Sequence, residues 1–290
     1  MSLITILISL AIESFWQRID DFRPFSWCEQ ACQWTYQKLA DSSWREGPAG
    51  VLAVIAPMVL GVGLVNAMLM GVWSGFGFIF AIIVVLYSLG PRGLARSIQA
   101  YLDAAEQGDH DSANQYASEV LGRQVDETPE QLTQYMKEAI LVQANERLIG
   151  VLFWFVLLGP MGAVLFRASV LLKQQYEMDT SGFARSSRQL YHILFWIPAR
   201  LCVLGYALAG SFIDTMSNWD GLSDFWQRES SELLIISGTG ALRQEMREEN
   251  EENALQFLLL GVTHTLALIK RTLIVLIVIL ALLTLAGWLV

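Results

Sequence analysis

Charge is scarce in this sequence. Only 16% of its 290 residues are Asp, Glu, Lys or Arg, against about 25% in a typical soluble domain. Hydrophobic residues make up 54%, and mean hydropathy is +0.42. The charge that is present sums to -9, which excludes nucleic-acid binding through a general basic field. Cysteine is also rare. Three residues cannot all pair, and Cys28 and Cys32, four apart with no histidine nearby, read as ordinary apolar contacts. No disulfide framework is implied, and with it goes any reading as a secreted cystine scaffold. Metal-ligand spacing, activated-nucleophile motifs and a Walker-type phosphate loop are all missing, so no catalytic residue, cofactor or metal is assigned. No strand signal rivals the helical ones. The first residues, apolar to Ile12 and closed by Glu13, lack a basic leader and a small-residue cleavage site. They read as a retained helix and not as a cleaved signal peptide.

Long apolar stretches are what the chain does have, and they divide it. Residues 1–46 hold the N-terminal apolar helix and an amphipathic interfacial helix from about Pro24, where Trp27, Trp34 and Tyr36 suit a membrane–water boundary. Residues 47–91 are long enough for two spans, and Gly47 to Pro91 carries no charged residue. The reversal is expected at Gly71 to Gly77. Residues 92–147 turn amphipathic with helical spacing, with turns at Gly108-Asp109 and Gly122, and a third helix capped by Thr128 with Pro129 at its first position. Residues 148–212 give two further spans around a basic loop, Lys173 to Arg188. The first is interrupted at Gly159-Pro160. The second, Leu190 to Gly210, contains Pro198 and Arg200. Residues 213–265 form an acidic helical region with a turn at Ser237 to Gly240, and residues 266–290 a last span. A helix from Ala254 to Ile269 precedes it, with Lys270 and Arg271 marking its edge. The fold expected is all-α: a polytopic integral membrane helical bundle with a cytoplasmic helical module. Lysine and arginine bias places loops 14–46, 92–147 and 213–271 in the cytoplasm and Val290 on the far side.

An arginine at mid-depth in a bilayer costs roughly 2.5–3.5 kcal/mol on insertion scales. Arg167 and Arg200, which end and interrupt apolar segments, are therefore expected to face other helices, a wet cavity or an interface. Either could grip phosphate or carboxylate through a two-pronged guanidinium contact. The competing reading is snorkelling, or pairing with a carboxylate such as Glu13. His192 lies in apolar sequence. Glu138, Asn145 and Glu146 precede the 148–166 span and could line a pocket mouth, or form an ordinary polar collar. These six, Arg167, Arg200, His192, Asn145, Glu146 and Glu138, are the candidate ligand-binding residues. The ligand is expected between the 148–167 and 190–210 helices.

Three segments carry a family resemblance. Gly90 to Val125, GPRGLARSIQAYLDAAEQGDHDSANQYASEVLGRQV, resembles the cytoplasmic helical hairpin of the AmpE/CobD membrane family. Leu148 to Arg167 resembles that family's helix with a Gly-Pro-x-Gly-Ala core, and Trp196 to Leu201, WIPARL, its most specific motif. The family joins AmpE proteins, tied genetically to β-lactamase induction, to the cobinamide-phosphate synthases of cobalamin assembly. The synthase branch has an acidic residue where Gln124 stands here, and an Ala-Glu-Asn-Thr run that Gln143 to Glu146 only partly echoes. It has Asn-Thr-Leu-Asp where Ala168 to Lys173 reads ASVLLK, and an Asn-Ala-Gly-Trp motif missing from Arg228 to Glu232. A synthase using ATP with a divalent cation needs oxygen ligands, and these positions have lost them. The resemblance thus implies the AmpE branch: a non-enzymatic inner-membrane regulator or sensor linked to peptidoglycan recycling. Its ligand would be an anionic small molecule, a cell-wall fragment or a nucleotide, beside the lipid bilayer itself and a partner protein or a second copy. The alternative is an enzyme resembling the adenosylcobinamide-phosphate synthases.

Overall fold

The computed structural model describes residues 2–15, 46–89, 93–125, 128–219, 221–248 and 254–287. The expected interfacial helix from Pro24, with Cys28 and Cys32, lies outside them. Among the described residues there is no strand. The described residues form thirteen α-helices, in order α1 Ser2–Phe15, α2 Pro48–Val72, α3 Ser74–Ser88, α4 Gly93–Glu106, α5 His110–Leu121, α6 Pro129–Ala144, α7 Gly150–Leu158, α8 Pro160–Gln175, α9 Gly182–Ala209, α10 Phe212–Ser217, α11 Leu222–Gln227, α12 Ser230–Glu248 and α13 Ala254–Leu285. A π-turn, Asn145–Ile149, joins α6 to α7. Pro48–Val72, Gln131–Leu158, Gly182–Ala209 and Gln256–Leu285 are each long and apolar enough to cross a membrane. The protein is a polytopic all-α membrane bundle.

The helices fall into two compact units. The first comprises Met1–Gly90, Glu146–Pro198 and Leu283–Val290. Here α2 begins on Pro48, whose missing N–H costs nothing in the first turn. It ends where Trp73 turns extended, and α3 folds back from Ser74, so the reversal sits where the glycines predicted it. Helix α8 packs on both members of this hairpin and on α7. Val51, Val54 and Ile55 of α2 meet Ala168, Leu171 and Leu172 of α8, with Phe183 closing the cluster. Only 17% of the most apolar window of α2 is buried. Leu60, Leu64 and Met68 stand exposed on it, as a lipid-facing surface requires. The break at Gly159 is sharp. Its φ of 65° and ψ of -151° are open only to glycine without strain, and Pro160 then starts α8.

The second unit comprises Pro91–Asn145 and Ala199–Leu282. Helices α4 and α5 form a hairpin on α6, and α12 packs on α6 and α10. Asp109 caps α5 by accepting from the Ser112 N–H, Gly122 ends it in the left-handed region, and Thr128 caps α6 with Pro129 behind it. All three local signals stand where the sequence put them.

Three expectations fail. The basic loop Lys173 to Arg188 shrinks to residues 176–181, because α8 runs through Lys173 to Gln175 and α9 starts at Gly182. The Ser237–Gly240 turn does not exist: these residues are inside α12. A Cβ on Gly238 would sit 2.5 Å from Leu141 Cδ2, so this glycine serves close helix packing and not chain reversal. The helix and span expected on either side of Lys270 and Arg271 are one 32-residue helix, α13. Arg271 reaches Glu245 of α12 at 2.6 Å, a partner that lets the charge remain within a continuous helix.

Candidate functional site

In the first unit a carboxylate is buried against apolar helices. Glu146, 3% exposed, occupies the π-turn. One extra residue per turn rotates the following side chains relative to α6, a device common at functional sites. The Tyr191 hydroxyl of α9 donates to Glu146 Oε1 at 2.5 Å, and Lys173 Nζ of α8 reaches the same oxygen at 3.2 Å. Lys173 also lies over the Tyr191 ring, 4.6 Å from its centroid, and that ring stacks on Phe195 at 4.9 Å. Three helical elements thus converge on one acid. A buried carboxylate is tolerated when a cation and a hydroxyl satisfy it together, and this one has both.

Of the six predicted residues, Glu146, Arg167 and His192 belong to the first unit and Glu138, Asn145 and Arg200 to the second. Arg167, on α8 in the first unit, is 9% exposed and lines an apolar cavity between α2, α3 and α8. Arg200, in the second unit, is 4% exposed. Its Nε donates to the Phe225 carbonyl at 3.1 Å, one terminal nitrogen to the Arg228 carbonyl at 2.9 Å, and the other to Ser230 Oγ. It ties the end of α11 and the start of α12 to α9. His192 is exposed on α9, in a shallow groove with Arg185, Arg188 and Trp196. Glu138 is half-buried on α6 and accepts from Gln134 Nε2 at 2.7 Å. Asn145 is fully buried, and neither its amide nitrogen nor its oxygen has a hydrogen-bond partner among the described residues.

Sequence reasoning missed Tyr191 altogether and assigned Lys173 to a loop. A carboxylate beside an apolar run needs a cation, and that rule limits the choice to a few residues. It does not select one 27 positions away. Among the described residues no group of three or more His, Cys, Asp or Glu side chains could hold a metal.

Two proteins named cobalamin biosynthesis protein CobD are similar to this chain. The one from Stutzerimonas stutzeri is 24% identical over 208 residues, covering 70% of this chain and 67% of its own. The one from Chromobacterium violaceum is 25% identical over 211 residues, covering 70% and 66%. A third, from Pelobacter propionicus, is 28% identical over 132 residues, covering 44% and 41%. The chain spans about two thirds of the length of the first two relatives. No solved structure matches. The family model described as "Regulatory signalling modulator protein AmpE" matches residues 1–290, and the chain belongs to the AmpE family.

Proposed function

We propose that the protein is a regulator or sensor in the bacterial inner membrane, linked to β-lactamase induction and peptidoglycan recycling, that works by binding and not by catalysis. The helical hairpin of α4 and α5 lies in the cytoplasm in this reading, in keeping with the lysine and arginine bias, and α6 leads from it into the candidate span that ends at Leu158. The observation that carries it is the state of Glu146. Its Oε1 is held by both Lys173 and Tyr191, and a charge answered from inside the fold supports a structural role over a catalytic one. Family membership over the whole length supports the regulatory role. The anionic ligand is taken at Arg167, which borders a cavity. Arg200, whose donors are spent on backbone carbonyls and Ser230, positions the turn that follows α11.

A second reading rests on the CobD relatives: a synthase of the cobalamin pathway. One pair of assays separates the two. β-Lactamase activity is measured after inducer treatment in a strain lacking this protein, complemented with wild type or with Arg167→Glu. Growth of a synthase-deficient cobalamin auxotroph carrying the wild-type chain is measured in parallel. The regulatory reading expects wild type to restore induction, the variant to fail at equal membrane abundance, and the auxotroph to stay starved. Unrestored induction, or growth of the auxotroph, overturns it.

A further inference from the structure

The outward face of α9 changes chemistry along its length. Gly182–Ala209 has 28 residues, about 42 Å at 1.5 Å per residue. A hydrocarbon core of about 30 Å takes only about 20 of them. Counted back from Ala209, the core ends at Leu190, which leaves Gly182 to Gln189 at headgroup level. The polar lining of the shallow groove lies there: Arg185, Arg188 and Gln189, with His192 one turn further in. Ile193, Trp196 and Ile197 continue the lining and are 63%, 37% and 40% exposed. Tryptophan favours such a boundary. Basic groups followed by apolar surface on one helix face match the order of a phospholipid from phosphate to chain.

Two observations set the sign of the site. No Asp or Glu occurs from Thr180 to Ile213, and none is among the described residues of the lining. Arg185 and Gln189, one turn apart, are both exposed, and neither side chain has a hydrogen-bond or ion-pair partner among the described residues. Arg188 is already anchored. One of its terminal nitrogens donates to the carbonyls of Tyr176, Glu177 and Asp179 at 3.3, 3.1 and 3.2 Å, which fixes a second positive charge one turn from Arg185. Of the two acids in that turn, Glu177 is exposed. The Asp179 carboxylate accepts from the Ser181 N–H and hydroxyl at 3.0 and 2.8 Å, so it does not neutralise Arg185. A guanidinium grips phosphate through paired N–H donors, and the Gln189 amide adds another donor. A zwitterionic headgroup brings its own cation, which two arginines repel; an anionic one does not.

We propose that this face of α9 holds one anionic phospholipid, its phosphate on Arg185 and Gln189 and a hydrocarbon chain along Ile193 and Ile197. The inference is separate from the Arg167 ligand and from the link to β-lactamase.

The test uses the full chain in nanodiscs of equimolar phosphatidylcholine and phosphatidylglycerol, with retained lipid counted by native mass spectrometry on release. Wild type keeps one phosphatidylglycerol in preference to phosphatidylcholine. A basic residue at an anionic surface contributes about 1 kcal/mol, or about fivefold, so Arg185→Gln lowers the preference about fivefold. Arg185→Lys keeps most of it. Gln189→Glu, which sets an acid beside the phosphate, removes it. Lys270→Gln, which neutralises an exposed cation on α13, leaves it unchanged, and this separates a site from the general field of the protein. A parallel sample carries millimolar inorganic phosphate and keeps the preference. Equal retention of both lipids, a preference unchanged in Arg185→Gln or Gln189→Glu, an equal loss in Lys270→Gln, or a preference abolished by free phosphate overturns the proposal.

Discussion

Replacing Tyr191 with phenylalanine removes one oxygen and nothing else. The ring stays stacked on Phe195 and under Lys173, so cation–π attraction is retained and the change isolates the hydroxyl bond to Glu146. Two scales bracket its worth. A hydrogen bond to a charged group contributes about 1.5–3 kcal/mol in soluble proteins. Interhelical hydrogen bonds inside membranes average about 0.6 kcal/mol and reach about 1.7, because the dispersed helices also find partners. The acceptor here is a carboxylate, 3% exposed, with the donor at 2.5 Å. These features place the bond at the top of the membrane range, so Tyr191→Phe is expected to cost about 1.5 kcal/mol.

Lysine 173 ranks differently. Removing one partner of a fully buried ion pair costs about 3–5 kcal/mol, since the other charge is stranded. The Lys173 side chain is 28% exposed, so water reaches the pair and the cost of Lys173→Met falls to about 2 kcal/mol. Glu146→Gln should be milder, about 1 kcal/mol, because an amide oxygen still accepts from Tyr191 while the lysine can turn to water. The double variant Glu146→Gln with Lys173→Met should recover about 1 kcal/mol relative to the sum of the singles. Equilibrium unfolding in mixed micelles measures all four. Additivity of the pair, or a Tyr191→Phe cost within error of zero, would refute the claim that these three residues act as one buried unit.

Two further outcomes follow from the second unit. Arg200→Met leaves the Phe225 and Arg228 carbonyls and Ser230 Oγ without their donor. Amide exchange across residues 225–232 should then accelerate by one to two orders of magnitude, matching about 1–3 kcal/mol of lost local protection, and wild-type protection there would contradict the anchoring role. Asp109 is held below the usual carboxylate range by the hydroxyl and then the backbone N–H of Ser112. A depressed folded-state pKa adds stability above the unfolded value, and that stability disappears as pH falls through the folded value. The α4–α5 hairpin should therefore loosen only in acid below the normal aspartate range, and Asp109→Asn should remove that step from an acid titration followed by exchange or NMR.

The fold was legible wherever a signal was local. Caps act within one turn, so Asp109, Gly122 and Thr128 with Pro129 could be placed from their immediate neighbours, and Gly159-Pro160 announced its own break. The misreadings share one cause. Gly238 and Gly240 in SGTG look like a turn when read along the chain, but the reason for Gly238 is Leu141, nearly a hundred residues earlier. The charges at Lys270 and Arg271 look like the end of a span, yet Glu245 from another helix lets Arg271 stay inside α13. In each case a residue with poor local propensity is explained by a helix the sequence does not name.

The same limit governs the site, and it shows why Glu146 was found while its partners were not. An acid just before nineteen uncharged residues is conspicuous, and burial costs require that something answer it. What answers it depends on the rotation of α7, α8 and α9 about their axes. The π-turn at Asn145–Ile149 resets that rotation, and hydrophobic periodicity cannot report the reset because α7 is apolar on every side. Arg167 shows the converse. Its burial follows from the sequence, since lipid rejects it, but the same requirement is met by a carboxylate, a carbonyl or a bound phosphate. Arg200 took the carbonyls. Arg167 instead borders an apolar cavity built by three helices together, and no signal along the chain separates that setting from the one Arg200 has.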